Sequence, residues 1–332
     1  MSESSRPLDL IGIGSPLVDL LIRVEDSFLS GNVSGAKGGM ELIDAVTISS
    51  IITASGQEAQ RAPGGAAANT TMGCASLGLA TAFIGCRGED PEGAYYADAL
   101  VQMGVEPRLS INPEAPTGRV LSLITPDAER TMRTCLGAAA TMKPEAISKE
   151  TFADCRLVML EGYTLFNPDL TRAIARAAKD AGCELALDMA SFEVVRAGRV
   201  VLEELLSGQV DIVFANETEA RAWHPDGELA AWEDLAARAR IAVVKVGKDG
   251  AWIARGRERH QVPAQLVETV VDTTGAGDNW AAGFLSGYLR GLPLDHCGKL
   301  GAMAGAAVVQ VIGAQPPAQT WQRIRGYLEA WA

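Results

Sequence analysis

Residues 270–284 read Val270-Val271-Asp272-Thr273-Thr274-Gly275-Ala276-Gly277-Asp278-Asn279-Trp280-Ala281-Ala282-Gly283-Phe284. The pattern predicts a strand that runs into a glycine turn and then a helix. Trp280, Phe284, Leu285, Tyr288 and Leu289 fit one helical face, and Gly291 with Pro293 gives a stop signal. The turn therefore sits at a helix N-terminus. Gly275 and Gly277 let the backbone approach a ligand, so the amides of Gly275, Ala276, Gly277 and Asp278 can point at a phosphoryl oxygen with the helix dipole behind them. A carboxylate at Asp278, on the rim of that anion hole, can accept the proton of an attacking hydroxyl while the amides stabilise charge on the group in transfer. Taken alone, the same residues suit a plain helix cap and a chain turn at least as well.

Short apolar runs bounded by Gly, Asp or Asn at 8–13, 80–85, 157–160, 184–188, 211–215 and 241–246 read as buried strands. Helix-period segments at 69–77, 93–103, 169–181, 200–206, 232–240 and 279–289 separate them. Such alternation predicts an α/β fold: a doubly wound, mostly parallel sheet with helices on both faces. Two regions, about 16–40 and 105–135, break the alternation with strand-like pieces between Pro and Gly turns, and are expected to form a small β-rich lid. No internal repeat or linker divides the chain, so residues 1–332 are read as a single domain.

Composition narrows the function. With 48% hydrophobic and 21% charged residues, the 332-residue chain has the balance of an ordinary globular protein. Its 41 acidic and 29 basic residues give a net charge of −12, and no run of Lys or Arg could track a phosphate backbone, so nucleic acid is not an expected partner. Six cysteines, Cys74, Cys86, Cys135, Cys155, Cys183 and Cys297, show neither a C-x-x-C pair nor zinc-type spacing with the three histidines. They read as small core residues in a reducing compartment. Residues 1–9 lack the regions of a signal peptide, and the most apolar stretch, 300–314, is short and contains Gln310. A cytoplasmic protein with no membrane span is the expectation. No G-x-x-x-x-G-K-[ST] sequence occurs, which argues against a Walker A enzyme. Gly12-x-Gly14 has Leu17 where a dinucleotide fingerprint needs its third glycine.

Further motifs place the 270–284 stretch in context. Pro63-Gly64-Gly65-Ala66-Ala67-Ala68-Asn69 joins a double glycine, which clears side chains where a ligand meets backbone, to an Asn that can donate to and accept from hydroxyls. Asn69 as a simple helix cap is the even alternative. Phe83-Ile84-Gly85 through Gly93, Asn216-Glu217-Thr218-Glu219, and Lys245-Val246-Gly247-Lys248-Asp249-Gly250 follow, the last also suiting an ordinary hairpin turn. Together with the D-T-x-G-A-G-D form of 272–278, these segments resemble the ribokinase (PfkB) family of carbohydrate and nucleoside kinases over nearly the whole chain.

The resemblance implies a ribokinase-like fold and an ATP-dependent kinase with Asp278 as base. It implies substrate hydroxyls gripped by Asp19, Gly64, Gly65, Asn69 and Glu161, with ATP along Asn216, Lys245, Gly247 and Gly250. Mg²⁺ would be ordered through water by Asn216 and Glu219, which suits an ion that keeps much of its hydration. K⁺ activation is implied by Asp272, Thr274 and Gly313, at positions whose oxygens surround that ion in the family.

Pro16-Leu17-Val18-Asp19, the insertion before Gly64, and Leu160-Glu161-Gly162-Tyr163 look more like adenosine kinases than ribokinases. Adenosine is therefore the first expected substrate. A purine wants a flat aromatic partner, and Phe28 is the only aromatic between Val18 and Met40. Leu121, Leu123, Met132 or Leu136 would then have to cover the base. A free sugar such as ribose, fructose or 2-keto-3-deoxygluconate is the alternative, and a non-catalytic nucleoside sensor a more remote one. The resemblance leaves monomer and homodimer open.

Overall fold

The computed structural model describes residues 8–127 and 129–331. Of the N-terminal stretch read above, only Leu8 and Asp9 lie within it. The strands are β1 (Leu8–Ile13), β2 (Leu17–Arg23), β3 (Met40–Leu42), β4 (Gln60–Gly64), β5 (Thr81–Gly88), β6 (Val105–Asn112), β7 (Gly118–Ile124), β8 (Arg130–Cys135), β9 (Cys155–Glu161), β10 (Glu184–Asp188), β11 (Ile212–Asn216), β12 (Ile241–Lys245), β13 (Ala251–Arg255) and β14 (Glu258–Val262). A nine-stranded sheet has the order β14-β13-β12-β11-β10-β9-β1-β5-β6, and a five-stranded sheet the order β3-β8-β7-β2-β4.

In the large sheet the strands from β6 across to β12 run parallel, while β13 and β14 return antiparallel. Strands covered on both faces must be apolar throughout, and β9 shows the consequence. Its Val158 and Leu160 pack into a layer with the helices Pro168–Asp180, Arg199–Leu206, Glu217–Trp223 and Glu228–Arg238. Leu157 and Met159 face the opposite layer, built by Ala276–Tyr288, Leu294–Val308 and Ala318–Trp331. The doubly wound architecture expected from the alternation is therefore present.

The small sheet obeys a different rule, with one face packed and one turned to the cleft. Val18, Leu20 and Ile22 of β2, with Leu121 and Leu123 of β7, pack under the helices Ala45–Ser55 and Pro91–Gln102. Asp19 and Leu21 alternate onto the other face, beside Val120 and Ser122 of the parallel neighbour β7.

Three local expectations change. Residues 105–112 form β6 in the large sheet, paired in parallel with β5 through the crossover helix Pro91–Gln102, and Pro107 is tolerated because β6 is an edge strand. Region 16–40 contains a helix, Asp26–Asn32, and the small sheet also recruits β4. The segment before Gly275 is not a strand; it is tied to the end of helix Leu294–Val308, with Val271 N–H donating to Val309 C=O at 2.7 Å. Helix Ala276–Tyr288 is buried almost all round, every residue from Asn279 to Gly287 being buried, so a one-face reading understates its role.

At the end of β10, Ala190 is the one non-glycine among the described residues with positive φ, at 65°. Its N–H donates to Asp188 Oδ1 at 2.9 Å, which holds the turn in that conformation. A Cβ in the left-handed region is unfavourable, and glycine removes that penalty at some cost in unfolded-state entropy, leaving a net gain of about 0.5–1 kcal/mol. Ala190→Gly should therefore raise Tm in thermal denaturation. An unchanged or lower Tm would mean that the turn is unstrained.

Candidate active site

The chain leaves β1 for β5 on one side and finds β9 on the other, so the carboxyl end of β1 is the switch point where doubly wound sheets open a crevice. Gly14, Glu161, Asp188, Asn216 and Lys245 end or follow β1, β9, β10, β11 and β12 at that edge. Helix Ala276–Tyr288 aims its N-terminus into the same crevice, with Gly275 as N-cap at φ 71°.

The anion hole is smaller than expected. Ala276 N–H donates to Thr273 C=O at 3.2 Å, whereas the N–H groups of Gly275, Gly277 and Asp278 meet no acceptor among the described residues. Three donors at a helix N-terminus remain free for an anion. Asn279, fully buried, locks this turn by donating from Nδ2 to Gly275 C=O and Ala314 C=O, both at 2.9 Å.

Asp278 is half-buried at the floor of the crevice, and its Oδ2 accepts from Asn69 Nδ2 at 2.9 Å. Burial pushes the carboxyl up to about 7; the Asn69 hydrogen bond opposes this, Asp188 and Glu161 add repulsion, and Lys245 opposes it again. Asp278 is thus poised to change protonation near neutrality, as a base for a neutral hydroxyl requires.

Lys245 stands beside the hole. Its Nζ lies 3.0 Å from Asp188 Oδ2 and 3.0 Å from the point a Cβ on Gly277 would occupy. Burial alone would lower its pKa, but the carboxylates of Asp188, Glu219 and Asp278 overcome that and raise it, so the ammonium stays charged. Gly247 and Gly250 bracket the single turn that joins β12 to β13.

Several residues have different partners from those expected. Asn69 donates one N–H to Asp278 Oδ2 and accepts from Gln315 Nε2 at 3.3 Å, so it orients the carboxylate while its amide keeps a second N–H and a second lone pair. Glu161 is buried and accepts from Ser15 N–H at 2.8 Å and Ala67 N–H at 3.2 Å, clamping the turn after β1 to the helix Ala66–Ser76. Burial raises its pKa. Glu219 is buried. It closes a capping box with Asn216, accepting from Asn216 N–H at 2.7 Å and Nδ2 at 2.6 Å, and burial with Asp188 nearby pushes its carboxyl up to about 7.

Asp19 stands apart from these. It lies in β2 on the cleft face of the small sheet, is 9% exposed, and its carboxylate makes no hydrogen bond to any described residue. Burial pushes it up to about 7, against the pull of Arg130. Gly64, opposite on β4, would place a Cβ 2.7 Å from Asp19 Oδ1, and Gly65, at φ 98°, would place one 2.3 Å from Ser15 C=O. Only glycine fits at both positions, which keeps the space in front of the carboxylate open. Leu121 and Leu123 point away from the cleft into the packed face, so Leu21 and Val120 are the apolar groups on Asp19's side. Tyr163, 36% exposed, is close enough for the Glu161 and Asp278 carboxylates to act on its hydroxyl and supplies an aromatic ring at the crevice.

At the expected K⁺ position, the Asp272 carboxylate accepts from Thr274 N–H at 3.0 Å, Gly313 N–H at 2.7 Å and Arg130 Nη2 at 2.5 Å, while Arg130 Nη1 donates to Thr274 Oγ1 at 2.5 Å. Among the described residues no three His, Cys, Asp or Glu side chains are placed to hold a bare metal ion. Asp188, Glu219 and Asp278 around one ammonium are instead a donor set for a hydrated cation carried on phosphate, which fits Mg²⁺. Asp188, Arg130 and Asn279 were missed by sequence reading. Asp188 alone had a signal, since it ends a predicted strand at the same edge as Asn216.

The family model described as pfkB family carbohydrate kinase matches residues 33–321. A solved adenosine kinase from Sinorhizobium meliloti is 36% identical, with TM-score 0.87 over 96% of this chain and 99% of its own. A probable sugar kinase from Rhizobium etli is 34% identical, with TM-score 0.88 over 97% and 98%. A ribokinase from Arabidopsis thaliana is 30% identical over 92% of this chain and 77% of its own. Kinases of this family use ATP and Mg²⁺ on a small sugar or nucleoside, and no helix among the described residues is long and apolar enough to cross a membrane. The chain belongs to the pfkB family of carbohydrate kinases and is a kinase of the ribokinase-like fold.

Proposed function

We propose that the protein transfers the γ-phosphoryl group of ATP to the primary hydroxyl of a ribose-bearing acceptor, with adenosine as the preferred one. The observation that carries the chemistry is the placement of Asp278, a carboxyl poised near neutrality, on the same helix turn as three open amides and beside the Lys245 ammonium. Asp278 takes the acceptor's proton through the oxygen that Asn69 leaves free. The amides of Gly275, Gly277 and Asp278, with Lys245, stabilise the charge that develops on the transferred group. Mg²⁺, held through water by Glu219 and Asn216, neutralises phosphate charge when bound. The turn Gly247–Asp249, up to Gly250, lies along the nucleotide.

Asp19 grips two acceptor hydroxyls from the small sheet, which serves as a lid over the crevice within a single domain. With no protein hydrogen-bond partner, this carboxylate is free to accept from the hydroxyls of a ligand. Adenosine is favoured by the 36% identity to a protein named adenosine kinase, and by Tyr163, whose ring offers a flat face to a purine. The 34% identity to a probable sugar kinase keeps a free sugar as the second reading.

ATP consumption measured across adenosine, other nucleosides, ribose, fructose and 2-keto-3-deoxygluconate separates these. Highest kcat/KM with adenosine is expected; a free sugar in first place would overturn the acceptor, and no turnover with any would overturn the enzyme.

Asp278→Asn should keep the fold and lower kcat by at least about 10²-fold, the lower range for loss of a positioned base. It should also stabilise the protein at alkaline pH. A carboxyl at 3.8 in the unfolded chain and about 7 in the fold contributes stability below pH 3.8 that is lost as pH rises to about 7. The variant's Tm should therefore exceed that of the wild type at pH 8, and the gain should vanish near pH 4. A near-normal kcat, or a Tm difference independent of pH, would remove Asp278 from this role.

Asp19→Ala should raise the acceptor KM strongly, since unpaired hydroxyls in a closed site cost about 1–3 kcal/mol or more. KM for ATP should change little. The variant should also discriminate less against acceptors lacking the 2′-hydroxyl. Unchanged acceptor KM and unchanged hydroxyl preference would leave Asp19 as a structural residue.

A further inference from the structure

We propose that Tyr96 is a positioning residue for acceptor binding, whose hydroxyl holds the double glycine Gly64-Gly65 at the distance from Asp19 that the acceptor's hydroxyls require. The inference rests on the reading of Asp19 as the group that grips those hydroxyls. Tyr96 lies in helix Pro91–Gln102, on the packed side of the small sheet, and is fully buried. Its ring belongs to the apolar cluster of Val18, Leu20, Leu121 and Leu123, and meets that of Phe83 at 6.3 Å between centroids. A phenylalanine would fill the same space. The hydroxyl is the feature to explain, because a buried O–H in an apolar cluster is costly unless it finds an acceptor.

That acceptor is Gly64 C=O, 2.9 Å away and buried. Gly64 ends β4, an edge strand of the small sheet beside β2. It is bonded to Tyr96 through its carbonyl, while a Cβ on it would stand 2.7 Å from Asp19 Oδ1. One residue without a side chain therefore connects the tyrosine to the carboxylate.

The end of β4 is weakly held by its own sequence. Its last pairs with β2 are Pro63 with Val18 and Gly64 with Leu17, so a residue that cannot donate is followed by one with wide conformational freedom. Gly65 comes next, at φ 98°. On the far side Glu161 accepts from Ala67 N–H at 3.2 Å. The double glycine is thus held from both ends, by Tyr96 at Gly64 and by Glu161 at Ala67. Burial, with the Glu161 and Asp19 carboxylates nearby, keeps the Tyr96 phenol well above its ordinary range, so the hydroxyl remains a donor through neutral pH. The preceding residue offers a comparison: Tyr95, half-buried, donates to Arg61 C=O of the same strand at 3.2 Å.

Steady-state kinetics of Tyr96→Phe tests the proposal, with adenosine as the acceptor and ribose measured in parallel. The ring is retained and one hydrogen bond is lost, so acceptor KM should rise about three- to tenfold. KM for ATP and kcat should stay near those of wild type. Tyr95→Phe, which removes the neighbouring bond to β4, should leave acceptor KM unchanged. In an Asp19→Ala background, Tyr96→Phe should add little to the loss already present, since both changes act on one contact. An unchanged acceptor KM in Tyr96→Phe, an equal rise in Tyr95→Phe, a parallel rise in KM for ATP, or additive losses in the double variant would each overturn the inference while leaving the Asp19 reading intact. An unchanged acceptor KM in Asp19→Ala alone, or no turnover of either acceptor by wild type, would overturn that reading and this inference with it.

Discussion

Asp278 is only partly exposed to water, and much of the site is arranged around that constraint. A carboxyl on a half-buried helix turn loses hydration and holds its proton to about 7. It remains usable as a base because Asn69 donates to one oxygen and Lys245 lies close by. Asn69 is in turn held by Gln315, and Lys245 by Asp188. Removing any of these would shift the balance between a carboxyl too acidic to accept a proton and one too well protonated to do so.

The same logic explains the charge pattern. Asp188, Glu219 and Asp278 surround one ammonium, an excess of negative charge that is costly in the free protein and favourable once a cation and phosphates arrive. The small sheet repeats this arrangement on the acceptor side. The Asp19 carboxyl is largely buried, has no hydrogen-bond partner among the described residues and is raised to about 7. Arg130 pairs with Asp272, and its charge also acts on Asp19.

The order of buried strands was legible because strands covered on both faces must be continuously apolar, and β1, β9, β10, β11 and β12 all carry that pattern. Asp278, Gly275 and Gly277 were legible because a local motif fixes a local turn. What could not be read depends on distant partners. That Asn69 donates to Asp278 follows from two residues 209 positions apart meeting across the cleft. Arg130 is separated from Asp272 by 142 positions, and nothing in its neighbourhood marks it. The reading of 270–272 as a strand failed because two valines before a turn fit a strand or an extended tie to another helix equally well, and only the contact with Val309 distinguishes them.

The most direct test is the ionisation of Asp278 itself, followed by ¹³C NMR on protein labelled at the aspartate side-chain carboxyl carbon, with Asp278→Asn used to assign the resonance. A titration near pH 7 is expected, moving to higher pH when Asn69 is replaced by Leu. A midpoint near 4, the ordinary carboxylate range, would contradict it, since burial would then not govern the site.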